Sequence, residues 1–312
     1  MKTPLPNVAE KISAFIDSTP LLGDRDALRE RAAADGYLFF RQLLPKEAVL
    51  SVRRDLLEVL GRHGWLAGGG DDGAIDLAAL NQVPDAAMRL DIGVSTAAYD
   101  DAQRLESVHR LPHHSNLLAF YRLFFGGEVL AHPRHIVRMI TAHRAMVPTP
   151  QHQDFPLIQG APETWTAWVP LGDCPRALGG LAVLRGSHQA GYLPILAAKG
   201  AGGLAVQTCP GEGGDWRGID YEAGDVLTFS SLTVHRGTRC QWKERVRLSM
   251  DVRYQSAGAA VEAKSLQPHC DLSWDEIYAG WKQKDLQYYW RQEPQNVVPW
   301  DEGFLQPRRR IC

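Results

Sequence analysis

The period of the hydrophobic positions changes near residue 128. Before that point the apolar residues recur at helical spacing. Residues 24–35 predict a helix, with Ala27, Leu28 and the 31–34 run as good formers and Gly36 closing it. Tyr37–Phe40 follows as a short strand. Pro45 opens a second helix, in which Val49, Leu50, Val52, Leu56, Leu57, Val59 and Leu60 make one apolar face that ends at 61–64. Residues 86–125 read as partly helical, with Asn116 placed to cap the apolar run 117–125 and Gly126-Gly127 ending it. From Glu128 to about residue 270 the apolar runs are short, strand-like and punctuated by Gly and Pro. The runs at 129–130, 136–141, 164–171, 181–184, 225–229 and 246–254 predict an all-β sandwich or jelly roll. Beyond Ser273 the chain turns aromatic and helical again. Trp274, Tyr278, Trp281, Tyr288, Tyr289 and Trp290 are expected to pack a terminal helix on the β core rather than to form a binding cage.

Composition narrows the classes. The 312 residues are 45% hydrophobic and 22% charged, as in ordinary globular proteins. A net charge of -2 gives no field that would draw nucleic acid or an anionic membrane. The basic run 306–310 reads as a solvated tail. Five scattered cysteines without C-x-x-C spacing indicate neither a disulfide framework nor a zinc knuckle. With no signal-peptide core and no long apolar span, the expected location is cytoplasmic, without a membrane partner. The 68–73 run, Gly-Gly-Gly-Asp-Asp-Gly, lacks a phosphate-loop lysine and reads as punctuation. The glycine-rich 198–224 stretch, containing the 210–214 run, is too long for a tight turn; it and 63–85 are lid candidates.

Two stretches carry chemistry. Gln151-His-Gln-Asp154 places an imidazole and a carboxylate two positions apart, hence on one side of an extended segment. That is two-thirds of a 2-His-1-carboxylate facial triad, which leaves metal positions open for oxygen chemistry. A second such pair, His269 and Asp271, has no histidine after it. The first is followed by Gly224-Asp225, an apolar strand and His235, and a strand running into a histidine presents it from a rigid element. Further on, Arg245, Arg247, Ser249, Asp251 and Arg253 alternate with Val246, Leu248, Met250, Val252 and Tyr254. Arg247 and Ser249 share a face, where a guanidinium clamps a carboxylate bidentately and a hydroxyl adds a hydrogen bond. Taken by itself, such a strand reads as a surface strand with its charges in water.

Five features in order resemble the phytanoyl-CoA dioxygenase family of iron(II)- and 2-oxoglutarate-dependent oxygenases. They are His152-Gln-Asp154, Trp168-Val-Pro-Leu171, the 179–188 run Gly-Gly-Leu-Ala-Val-Leu-Arg-Gly-Ser-His, Gly224-Asp225 to His235, and Arg247-Leu-Ser249. The 35–41 run, Asp-Gly-Tyr-Leu-Phe-Phe-Arg, is similar to the family's first strand, so the resemblance covers roughly residues 35–255. It implies a mainly β fold with flanking helices (α+β) around a double-stranded β-helix, a cupin-like jelly roll. The expected organisation is a single domain, 1–312. Within it, residues 1–127 form a mainly helical N-terminal region, 128–256 a jelly-roll core and 257–312 an aromatic, helical extension. The resemblance further implies His152, Asp154 and His235 as iron ligands. Arg247 would hold the distal carboxylate of 2-oxoglutarate, with Ser249, Gln153, Trp168 and Met139 as further co-substrate contacts, and in such a barrel the polar face carrying Arg247 points inward rather than into water.

The implied reaction uses Fe(II), 2-oxoglutarate and O2 to hydroxylate an unactivated C–H bond of a small molecule, releasing succinate and CO2. Related halogenases carry a small residue at the position of Asp154, so the aspartate favours hydroxylation. Two departures fall on a turn away from the metal: Gly179-Gly180 for Asn-Gly, and Arg185 for a proline before Gly186. His188 belongs to that turn and reads as structural or as a partner of the metal ligands, and His113, His114, His132, His135 and His143 have no ligand spacing. Arg134, Arg138 and Arg144 are candidates for an anionic-substrate site. The partner expected is a small-molecule substrate, with no nucleic acid, for a monomer or homodimer. Two rivals stand: a cupin-like metal enzyme that does not use 2-oxoglutarate, and a non-catalytic jelly-roll binding module.

Overall fold

The computed structural model describes residues 12–68, 72–206 and 214–306. Cys209, Cys312, most of the 210–214 glycine run, the middle of the 68–73 run and the basic tail after residue 306 lie outside them.

Helix α1 (Arg25–Asp35) starts where Asp24 accepts a hydrogen bond from the Ala27 N–H and stops at Gly36, whose φ of 76° is left-handed. A Cβ at Gly36 would run into the His188 ring, so turn and packing both call for glycine there. Strand β1 (Tyr37–Phe40) and helix α2 (Lys46–Arg62) follow. Short helices α3 (Leu77–Leu80), α4 (Thr96–Gln103) and α5 (Glu106–Arg110) lead to α6 (Ser115–Phe125), which Gly126 ends at φ 79°. The α6 cap differs from expectation. His114 is the N-cap, accepting from the Asn116 N–H, while the Asn116 side chain donates to the Leu43 carbonyl. A tertiary contact recruited the asparagine.

The strands are β2 (Val129–Ala131), β3 (Ile136–Ile140), β4 (Trp165–Pro170), β5 (Leu181–Leu184), β6 (Ile195–Ala197), β7 (Leu204–Val206), β8 (Trp216–Arg217), β9 (Val226–Ser230), β10 (His235–Gly237) and β11 (Arg247–Ser256). Helix α7 (Phe155–Ile158) precedes β4. The large sheet runs β1-β9-β4-β11-β2, with β3 also on β11; the small sheet runs β10-β5-β8; β6 and β7 form a hairpin. All these pairings are antiparallel, and the two sheets pack face to face as a jelly roll.

The alternation along β11 sorts its environment. Leu248, Met250, Val252 and Tyr254 join the core that α2 and α6 build on the outer face of the large sheet. Arg247, Ser249, Asp251 and Arg253 therefore point between the sheets, and all four are buried. The surface-strand reading of the isolated pattern gives way to the inward-facing one that the resemblance implies, because the N-terminal helices cover the apolar face.

The aromatic C-terminal segment packs on the β core, with Trp274, Tyr278, Trp281 and Trp290 clustered around Leu130 and Val261. Its helicity is slight: α8 (Trp274–Tyr278), capped by a Ser273–Glu276 box, is followed by turns. Packing among the aromatics replaces helical hydrogen bonding as what fixes this segment.

Candidate active site

Backbone pairing builds the site. His152 and His235 form an antiparallel bridge in which each N–H donates to the other's carbonyl, at 2.9 and 3.0 Å. His235 starts β10 and so is anchored to β5 opposite Val183. Asp154 precedes α7, and the adjacent Phe155 N–H is held by the Ser231 carbonyl.

Each imidazole is oriented through Nδ1, His152 to the Pro150 carbonyl at 2.8 Å and His235 to the Thr233 carbonyl at 3.0 Å. Those bonds fix the tautomer, leaving the Nε2 lone pairs facing the Asp154 Oδ1, 3.7 Å from each. The other oxygen of Asp154 accepts from the Thr166 hydroxyl at 2.6 Å and faces Arg253 Nη2 at 3.4 Å. Among the described residues this is the group of His, Cys, Asp and Glu able to hold a metal ion, with ligand atoms within 4.8 Å of one another.

Burial lowers the pKa of both imidazoles, His152 to about 3 with His235 as the next cause. Both are therefore neutral and able to ligate at pH 7. Burial would raise the Asp154 pKa, but Arg253, the two imidazoles and Thr166 outweigh it and hold the carboxyl well below its usual range. Two neutral imidazoles and one carboxylate are a donor set that fits iron(II) and leaves coordination positions open.

Two cavities meet at this cluster, and His152 and Asp154 line both. The narrow one is walled by Trp168, Leu181, Phe229 and Arg247. Arg247 is 5% exposed, and its guanidinium lies 5.8 Å from the centre of the Trp168 ring. Burial lowers its pKa, and among the described residues no carboxylate comes within ion-pair distance of it. Its Nε, the Ser249 Oγ and the Trp168 Nε1 are all buried without a hydrogen-bond partner. A buried, unpaired guanidinium beside two unsatisfied polar groups fits a dicarboxylic co-substrate such as 2-oxoglutarate.

The structure thus brings together His152, Asp154, His235, Arg247 and Trp168, with Ser249 two residues along the inner face of β11. Two predicted contacts fall elsewhere. The Gln153 amide donates to the Gly191 and Leu232 carbonyls and accepts from the Leu193 N–H, which ties loops together behind the metal cluster. The alternation that aims His152 and Asp154 inward turns Gln153 away. Met139 sits in the core on the outer face of the large sheet, on the opposite side of β3 from Arg138. His188 bonds the Ala33 carbonyl through Nε2, and Arg185 pairs with Asp35 at 2.7 Å, so the departing turn is fastened to the end of α1.

Thr166 and Arg253 carry no role in the sequence-based reading. They face each other in the β4–β11 register, and the signal was present, since Arg253 shares the period-2 face of Arg247. Thr166→Val is expected to keep the fold and weaken iron affinity by about 10- to 100-fold, as outer partners of metal ligands do. A competition titration against a chelator checks it.

The larger cavity measures about 200 Å³ and opens past Ile136, Leu157, Ile158 and Ala201. Ala201 and Gly202 belong to the connection between β6 and β7, so this portion of 198–224 borders the cavity; no described residue of 63–85 does.

Fold and site together define a non-haem iron enzyme on a double-stranded β-helix. The family model for phytanoyl-CoA dioxygenase (PhyH) matches residues 33–241. Two curated relatives are each called 1-deoxypentalenic acid 11-beta-hydroxylase. The one from Streptomyces arenae is 28% identical over 273 residues, and the one from Streptomyces exfoliatus 29% over 278. Each alignment covers 84% of this chain and 92% of the relative. The epimerase SnoN, solved in complex with Fe3+, alpha ketoglutarate and nogalamycin RO, is 23% identical with a TM-score of 0.53, over 77% of this chain and 86% of its own, and shares the fold. The chain belongs to the phytanoyl-CoA dioxygenase family. It is an iron- and 2-oxoglutarate-dependent oxygenase, an enzyme that uses Fe(II), 2-oxoglutarate and O2.

Proposed function

We propose that His152, Asp154 and His235 hold the iron, and that the enzyme hydroxylates an unactivated C–H bond of a small molecule bound in the larger cavity. The observation that carries the co-substrate assignment is Arg247, a buried guanidinium without a carboxylate partner, opposite the metal cluster from that cavity. When bound, iron(II) and 2-oxoglutarate together activate O2, giving succinate, CO2 and one oxygen atom for the substrate. The protein's own residues position and insulate. Arg247 fixes one carboxylate of the co-substrate, with Ser249 and Trp168 offering further hydrogen bonds. Thr166 and Arg253 hold the second oxygen of Asp154, so that one oxygen remains for the metal. The walls of the narrow cavity exclude bulk water from the co-substrate. The hydroxylase names of the curated relatives support hydroxylation as the outcome. We further infer a cytoplasmic enzyme, monomer or homodimer, with neither nucleic acid nor membrane as partner. The net charge of -2 supports the exclusion of nucleic acid and anionic membrane, and the free Cys174, Cys240 and Cys270 support the cytoplasmic reading.

The test is an anaerobic titration with iron(II) and then 2-oxoglutarate, followed by visible absorption. A charge-transfer band saturating at one equivalent is expected. Iron uptake without a band at any 2-oxoglutarate concentration would favour a metal enzyme of another kind.

A further inference from the structure

The larger cavity carries positive charge that the chemistry above leaves unused. Its charged lining is Arg134, Arg138, Arg253 and Lys264 against Asp91, Asp154 and Glu262. Most of these charges are matched. Arg138 pairs with Asp251 at 2.6 Å, Asp91 with Arg89 at 2.9 Å, and Arg253 faces Asp154. The buried Glu262 accepts the Lys264 backbone N–H at 2.8 Å, capping its own turn. Arg134 and Lys264 stand apart. Among the described residues neither has a carboxylate within ion-pair distance. Arg134 donates to the Gln267 and Pro268 carbonyls, and the Lys264 ammonium rests over the Trp300 ring, 3.7 Å from its centre. Burial lowers the Arg134 pKa, and against the opposing effect of Tyr99 the neighbouring Arg253 and Arg89 add to it. Of the three candidate arginines, Arg138 is neutralised, and the exposed Arg144 pairs with Asp85 outside the cavity.

We propose that Arg134, with Lys264 at the rim, forms an anion subsite, and that the substrate is a compact, mainly hydrocarbon molecule bearing a carboxylate. The anion would bind these cations while Ile136, Leu157 and Ile158 enclose the skeleton and turn a C–H bond toward His152 and Asp154. About 200 Å³ is below the roughly 300 Å³ at which drug-sized ligands are accommodated, which points to a compact skeleton. This inference rests on reading the larger cavity as the substrate's.

The test is calorimetry on the iron-loaded enzyme saturated with N-oxalylglycine, an inert 2-oxoglutarate analogue. The probes are acid and alcohol pairs: adamantane-1-carboxylate, cyclohexanecarboxylate and decanoate, each against its primary alcohol. The acids are expected to bind about tenfold or more tighter than the alcohols, the range of a charge-assisted contact. Arg134→Gln, which keeps donors for the Gln267 and Pro268 carbonyls, should bring each ratio close to one without weakening the alcohols. Lys264→Ala, at an exposed site, should lower the ratio several-fold. Both variants should retain 2-oxoglutarate affinity. Equal affinities in the unaltered enzyme, or no binding of any acid, would overturn the proposal. So would discrimination that survives Arg134→Gln but vanishes in Arg247→Ala, which places the anion in the co-substrate cavity. Failure of the co-substrate reading shows separately, as an unaltered enzyme that does not take up 2-oxoglutarate.

Discussion

Asp154→Ala is expected to abolish turnover, with succinate release falling by more than about 10³-fold, because the several kcal/mol that a bound metal supplies would be lost with the proposed ligand. One oxygen of Asp154 faces both imidazole Nε2 atoms at 3.7 Å, and no other described carboxylate joins that cluster. Metal analysis after anaerobic loading should find no stoichiometric iron in the variant. The same change strands Arg253, buried and without its carboxylate, so the melting temperature should also fall. Breaking a buried pair by removing one partner costs about 3 kcal/mol. Adding Arg253→Met removes the stranded charge and should recover most of that stability while restoring no iron. This split separates the ligand from the fold. A variant of normal iron affinity would remove Asp154 from the metal site, and unchanged stability would mean that the 3.4 Å contact with Arg253 contributes little.

The jelly roll was readable because its strands are short apolar runs with Gly and Pro between them, and the predicted runs fall within two residues of the observed strands. The His-Asp-His cluster was readable because its members lie on rigid, extended backbone: two on one segment, one at the start of β10. What failed depended on which side of an element faces what. Gln153 sits between two inward residues and so must point outward, yet a resemblance assigns roles by position and ignores that alternation. Met139 fails in the same way beside Arg138. Arg253 could be read only as an inward residue on the face of Arg247, and its pairing with Thr166 at Asp154 was missed because it exists only in the β4–β11 register, which brings residues 87 positions apart face to face. The helical forecast for the C-terminal aromatics failed because bulky rings fix a segment through packing with little regular structure.

Arg247→Ala is expected to raise the Kd for 2-oxoglutarate by roughly 30- to 3,000-fold, the 2–5 kcal/mol typical of losing one partner of a buried, hydrogen-bonded charge pair. Iron affinity should stay near that of the unaltered enzyme, because Arg247 forms no hydrogen bond or ion pair with His152, Asp154 or His235. The stability of the protein separates this from a structural role. A guanidinium buried at 5% exposure without a carboxylate partner is unfavourable in the free protein, so Arg247→Met, which fills similar volume without charge, should melt at the same temperature or higher. The unaltered enzyme should gain about 2.7 kcal/mol at 2-oxoglutarate concentrations 100 times its Kd, by mass action, and Arg247→Met should gain almost nothing. Arg247→Lys tests geometry apart from charge. Lysine keeps the cation but offers no planar fork, so its affinity should lie between the two. If Arg247→Met instead melts well below the unaltered protein and keeps its 2-oxoglutarate affinity, the arginine is a core residue. The co-substrate must then be held by the other cations of the site.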